Sequence, residues 1–317
     1  MTGALHPCCD PTSPSPIWEG NRRGEVINID GIETYISRAA KPTSKSAGTQ
    51  ASHSEADTSN SKRIILFLTE GHGIYLPNAQ LLADSFASHL NCDVLMPDQF
   101  AGQSRLPKGI KPSFPPGAKV PWIEDENDPN YELRGLATPL QDKFETSDAY
   151  PFLKPPWWVQ EGPKAFEEWK MRHEPAVTDP LLALVIMYIH KTYGENVRIG
   201  GIGYCFGGRY VMRLMGAGII DVGVVNHPSF FTMEEVAKLG KGQQLAMYAA
   251  ETDDIMPPEK RRQTEDVMTS MGATWMSTVF SGTEHGFSVR GDLSVKEVRL
   301  AKERAFKGAV EWFKDWL

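Results

Sequence analysis

Cysteine is scarce. Four in 317 residues cannot staple a chain of this length, so Cys8, Cys9, Cys92 and Cys205 are read as separate thiols. Long apolar runs are missing too: no stretch approaches the ~18 consecutive apolar residues of a membrane span, and the amino-terminal region lacks the basic-then-apolar order of a secretory signal. A cytoplasmic protein without a membrane partner is expected. Clusters of Lys and Arg are also absent, and 33 basic against 40 acidic side chains leave a net charge of −7, which argues against nucleic acid as a partner. No His, Cys or Asp spacing resembles a metal site, and no Gly-rich loop resembles a nucleotide or phosphate site. No cofactor and no metal are therefore expected. What remains as partner is a small molecule, bound by a monomer or a homodimer.

What is present is ordinary globular composition, 41% hydrophobic and 23% charged, read as one α/β domain over 1–317 with insertions. Residues 25–38 alternate apolar and polar around Asp30-Gly31, the pattern of a β-hairpin with a tight turn. The tract 39–62 carries no large apolar side chain and cannot offset its own ordering entropy, so a disordered loop is expected there. Arg63 to Thr69 is a short apolar run of the kind covered on both faces of a sheet. A helix from Pro77 and a strand ending at Pro97-Asp98 complete a β-α-β crossover. Across 98–177 the pattern breaks into a Trp- and Pro-rich insertion, the kind of long loop that serves as a lid or substrate-binding segment. Regularity returns at Thr178-Asp179-Pro180, read as a helix start, with Gly194 as the stop. Strands near 197–203, 222–226, 244–249 and 274–280 then alternate with helices near 206–215, 233–239, 258–271 and 294–316. That alternation predicts a doubly wound, mostly parallel sheet with helices on both faces and ligands at the carboxyl ends of its strands.

Gly203-Tyr204-Cys205-Phe206-Gly207 follows a strand and opens a helix, the setting of a nucleophile elbow with Cys in place of Ser. A residue held in so sharp a turn needs small neighbours two positions to either side, which Gly203 and Gly207 supply. The helix amino terminus beyond it favours a thiolate and a developing oxyanion. A carboxylate and a histidine follow in the order this arrangement requires, each just after an expected strand. Asp253 and its neighbour Asp254 are the candidate acids, and His285 is the candidate base.

These residues resemble the dienelactone hydrolase family, in its fungal branch, and so imply an α/β-hydrolase fold. The similarity rests on Glu70 in TEGHG, Pro97-Asp98, GYCFGG around Cys205, Asp253 four residues before Pro257, and His285-Gly286-Phe287. By that resemblance Cys205 is the nucleophile, His285 the general base and acid, and Asp253 the residue that orients the imidazole, with Asp254 as second choice. Glu70 matches a carboxylate beside the nucleophile, which raises the cost of the thiolate until substrate displaces it. The oxyanion hole in this fold takes the backbone N–H groups of Phe206 and Gly71, to which His72 can add a side-chain donor.

The sequence departs from the bacterial enzymes of the family where they carry an arginine soon after the equivalent of Pro97-Asp98. Here the chain reads Phe100-Ala101-Gly102-Gln103, with Arg105 nearby and Arg290 at about the family's second arginine position, so one cation for the substrate is expected to remain. Dienelactone itself fits poorly. The insertion, with Trp122 and Trp157, predicts a larger and more aromatic ligand, and His227 can contact it from the end of its strand. The expected activity is hydrolysis of a lactone or carboxylic ester through an acyl-thioester. Two alternatives stand beside it: acyl or thioester processing in a biosynthetic pathway, since fungal relatives often accompany polyketide chemistry, and a catalytically slow ligand-binding homologue.

Overall fold

The computed structural model describes residues 18–39, 62–105 and 163–317. Most of the expected disordered loop and the greater part of the insertion, including Trp122 and Trp157, lie outside the described residues, as do Cys8 and Cys9.

The hairpin forms as β1 (Glu25–Ile29) and β2 (Ile32–Ser37). Asp30 and Gly31 both take positive φ, 48° and 93°, the backbone of the tight turn that matches the twist of paired strands. The sheet continues with β3 (Arg63–Leu68), β4 (Asp93–Pro97), β5 (Arg198–Tyr204), β6 (Val222–Asn226), β7 (Gln244–Thr252) and β8 (Thr274–Glu284). Spatial order is β1-β2-β4-β3-β5-β6-β7-β8. β1 runs antiparallel to β2, and β2 to β4; every other pairing is parallel.

Helices α1 (Pro77–Leu90), α2 (Pro163–Arg172), α3 (Pro175–Tyr193), α4 (Phe206–Gly216), α5 (Met233–Val236), α6 (Pro258–Met271), α7 (Phe287–Arg290) and α8 (Lys296–Trp316) cover the sheet. The run RIILFL shows how. Ile64, Leu66 and Leu68 point to the core beneath α2, α3 and α4, whereas Ile65 and Phe67 point to the core beneath α1 and α8. A strand sandwiched in this way has no polar face to show, hence its unbroken apolar sequence. Each large side chain so buried contributes about 1.5–3 kcal/mol relative to exposure.

Several boundaries differ from the sequence reading: β7 runs on to Thr252 and β8 to Glu284, and two helices shift. Helix α3 begins at Pro175, not at Thr178-Asp179-Pro180, so Pro180 lies inside it. Pro175 occupies the first turn, where a missing N–H costs nothing, and the apolar face that follows, with Leu181, Leu182, Val185 and Ile189 buried, carries the helix past the second proline. Helix α5 closes at Val236 instead of running to residue 239, although a full capping box between Thr232 and Glu235 starts it.

The tight point of the fold is the β5–α4 turn. A Cβ placed on Gly203 would lie 2.5 Å from the Gly207 carbonyl oxygen, and one on Gly207 would lie 2.1 Å from that of Leu68. Only glycine permits that approach. The turn therefore locks onto β3, with the Gly207 amide donating to the Thr69 carbonyl at 3.0 Å.

Candidate active site

Five chain segments reach the carboxyl edge of the sheet together: Glu70 after β3, Cys205 after β5, His227 after β6, Asp253 in the loop after β7 and His285 after β8. Cys205 sits at the apex of the elbow with φ 50° and ψ −111°, outside the regions a side chain favours. Its amide donates to the Asn226 carbonyl at 3.0 Å, and its carbonyl accepts from the Gly208 and Ser229 amides at 3.0 Å each. The strained residue is thus pinned from two sides.

His285 is buried and its Nδ1 donates to Asp253 Oδ2 at 2.7 Å. Asp253 Oδ1 accepts the Ile255 and Met256 amides, each at 2.9 Å. Every direction in which the carboxylate could turn is thereby fixed. Asp254 is exposed. With Nδ1 committed to Asp253, Nε2 is the nitrogen left for Cys205, which acts on His285 through both charge and a side-chain hydrogen bond. Burial opposes a proton on this imidazole, yet the Cys205 sulfur and the Asp253 carboxylate outweigh it and push its pKa up to about 10.

Glu70 is equally buried. Its Oε2 accepts from Arg290 Nε at 2.8 Å, while Oε1 has no partner among the described residues. Burial pushes the carboxyl above its usual range; the Arg290 guanidinium opposes that rise and the nearby Cys205 sulfur adds to it. Arg290 is therefore held by Glu70. This contact joins residues 220 positions apart, beyond the reach of any local sequence pattern.

The remaining candidates divide. Gly71 lies in the turn after β3, where a Cβ would meet the Trp169 ring at 3.3 Å, and its carbonyl accepts the Arg105 amide at 2.6 Å. Phe206 opens α4, so by position its amide has no partner within the helix. His72 is buried with Nδ1–H donating to the Arg105 carbonyl, which makes it a tie across the turn; burial and the Arg290 charge push its pKa down to about 3. His227 is fully buried, T-shaped against the His285 ring at 4.8 Å between centroids. Burial, then the charges of His285 and Arg290, hold it neutral.

Two further groups escaped the sequence reading. Trp169, Phe166, Phe100 and Phe206 form a continuous aromatic cluster, with centroids 5.9 Å (Phe166–Trp169), 5.3 Å (Phe100–Trp169) and 5.0 Å (Phe100–Phe206) apart. His173 is buried within it, Nδ1 on the Trp169 carbonyl at 2.7 Å. The tryptophan count of the insertion was a signal for this, but not for which ring would pack. The second is Ser229, whose Oγ lies 3.3 Å from Cys205 Sγ.

Among the described residues no cluster of His, Cys, Asp or Glu has the makings of a metal site, and no helix is long and apolar enough to cross a membrane.

The sequence profile of the dienelactone hydrolase family matches residues 51–317. The chain belongs to this family. Among fungal relatives of this dienelactone hydrolase family member, hydrolase PyvD of Aspergillus violaceofuscus is 30% identical over 299 residues, covering 94% of this chain and 93% of the relative. Hydrolase TropI of Talaromyces stipitatus is 33% identical over 253 residues, 80% and 81% of the two chains. The crystal structure of a dienelactone hydrolase from Anabaena variabilis superposes with a TM-score of 0.53 at 9% identity, over 94% of this chain and 100% of that one, a likeness of fold. The protein is a hydrolase of the dienelactone hydrolase family with an α/β-hydrolase fold.

The buried histidines predict a pH dependence of stability. Burial pushes His173 down to about 4 from an ordinary 6.5. Above pH 6.5 both folded and unfolded states are neutral and stability is complete; as pH falls toward 4 the unfolded chain takes up the proton first. Each such histidine then costs up to about 1.4 kcal/mol per pH unit. Urea unfolding of His173→Gln between pH 6.5 and 4.5 should give a shallower slope than the native protein, and equal slopes would contradict the assignment.

Proposed function

We propose that the protein opens a lactone or cleaves a carboxylic ester through an acyl-thioester on Cys205. The observation that carries this reading is the 2.7 Å bond from His285 Nδ1 to a fully engaged Asp253, which leaves the opposite ring nitrogen to the thiol. His285 takes the Cys205 proton and the thiolate adds to the carbonyl carbon. The amides of Phe206 and Gly71 hold the oxyanion. Collapse expels the alkoxide, which takes its proton from His285. A water that gives its proton back to His285 attacks the thioester, and the acid leaves as sulfur regains its proton.

Substrate charge follows from Arg290. A substrate carboxylate would have to displace Glu70 from it, no arginine stands in the Phe100–Gln103 turn, and the nearby Arg105 guanidinium lies over the Phe166 ring at 5.2 Å. A neutral ester or lactone therefore suits the site better than dienelactone, and the aromatic cluster beside Phe206 favours an aryl group. Glu70 acts in this scheme as a restraint: its negative charge beside the sulfur disfavours the thiolate until substrate occupies the site. His227 and His72, both uncharged, shape the site without competing for the proton that His285 carries.

Intact-protein mass spectrometry after mixing with phenyl acetate and dihydrocoumarin provides the test. A transient acyl mass on the native protein, absent from Cys205→Ala, is the expected result. An adduct that persists in Cys205→Ala, or hydrolysis at the native rate by that variant, would overturn the assignment. Glu70→Gln should shift the pH midpoint of Cys205 alkylation downward, since a negative charge beside the thiolate is removed; an unchanged midpoint would refute the restraint.

A further inference from the structure

The segment after β6, Asn226-His227-Pro228-Ser229-Phe230, is bent at a cost. His227 and Phe230 both hold positive φ, 36° and 60°, in a region that non-glycine residues seldom occupy. Strain of this kind persists only where surrounding contacts over-determine it. Some of those contacts are to neighbouring elements, such as the His227 amide donating to the Tyr248 carbonyl at 2.7 Å and Phe230 packing on Phe166, but three tie the segment to the elbow. The Asn226 carbonyl accepts the Cys205 amide, the Ser229 amide donates to the Cys205 carbonyl, and Pro228 packs so close to Gly208 that a Cβ there would come within 2.7 Å of it. The consequence is to place one hydroxyl, fully buried, 3.3 Å from the sulfur.

We propose that Ser229 is a further catalytic residue, whose Oγ–H donates to Cys205 Sγ whenever that sulfur carries negative charge. The inference rests on Cys205 being the nucleophile and deepens that reading. It applies at two points. When His285 removes the Cys205 proton, the Ser229 hydroxyl stabilises the thiolate left behind and keeps its own proton. During the acyl-thioester stage sulfur is neutral and a poor acceptor, so the bond weakens. When water has added to the thioester carbonyl and the C–S bond breaks, its electron pair returns to sulfur and the same hydroxyl receives the charge again. Both thiolate formation and thiolate departure are favoured by one donor.

The other charged or titratable groups that face Cys205 do not fill this place. His285 is the proton acceptor, held by Asp253. Glu70 is engaged by Arg290 and, when charged, repels the thiolate. Arg290 is engaged by Glu70, and His227 is held neutral with neither ring nitrogen bonded among the described residues.

The test is the rate of Cys205 alkylation by iodoacetamide across pH, read by peptide mass spectrometry, in the native protein, Ser229→Ala and Ser229→Thr. A hydrogen bond to a charged acceptor corresponds to a shift of about one pH unit. Ser229→Ala should raise the midpoint by about that amount, and Ser229→Thr, which keeps the hydroxyl, should restore most of it. An unchanged midpoint in Ser229→Ala, or equal shifts in both variants, would overturn the proposal. If Ser229→Ala does not fold, Ser229→Gly is read by the same criteria. Absence of an acyl mass on native Cys205 after mixing with phenyl acetate would instead refute the nucleophile itself, an outcome distinguishable from either.

Discussion

The bond between His285 and Asp253 is the constraint on which the rest of the site depends. It fixes the ring: with Nδ1–H held by a carboxylate that two backbone amides already fix, Nε2 is the nitrogen turned to the Cys205 sulfur. The partners come from different loops at the carboxyl edge of one sheet, brought together because β7 and β8 pair in parallel from Gln244–Thr274 to Ala250–Phe280 and again at Thr252–Glu284. A parallel sheet covered on both faces provides that rigidity. Its two cores, one beneath α1 and α8 and the other beneath α2, α3 and α4, leave the strand termini little freedom to drift.

Charge is balanced around this axis within a buried space. Asp253 and His285 form one pair and Glu70 and Arg290 another, with the sulfur of Cys205 acting on both His285 and Glu70. A buried charge without a partner would be costly, so changing one member changes the preferred state of the others. The low-dielectric setting makes each contribution larger than it would be in water. The strained turns at Cys205, His227 and Phe230 lie next to these charges and nowhere near the hairpin edge, which is where functional strain is expected.

Much of this was legible from the sequence because it is local. Gly203-x-Cys205-x-Gly207 encodes a turn that excludes any Cβ, Pro77 encodes a first helical turn, Asp30-Gly31 encodes a hairpin, and the position of Asp253 four residues before Pro257 separated it from the exposed Asp254. What was not legible is contact between distant segments. By sequence Arg290 is a cation for the substrate, and only the folded chain brings it to Glu70. His72 looked free to donate into the site, but its ring is spent on the Arg105 carbonyl. At α3, Pro180 mimics an opening residue, whereas burial of the face beyond it sustains a helix that local rules would break. Ser229 carries no motif at all; its significance is a distance.

The activity of Asp253→Asn toward an aryl ester, set beside that of Asp254→Asn, addresses the relay most directly. If Asp253 fixes the imidazole, kcat should fall by at least about 100-fold in the first variant and stay within about twofold of native in the second. Near-native turnover by Asp253→Asn, with the protein folded, would contradict the relay described here.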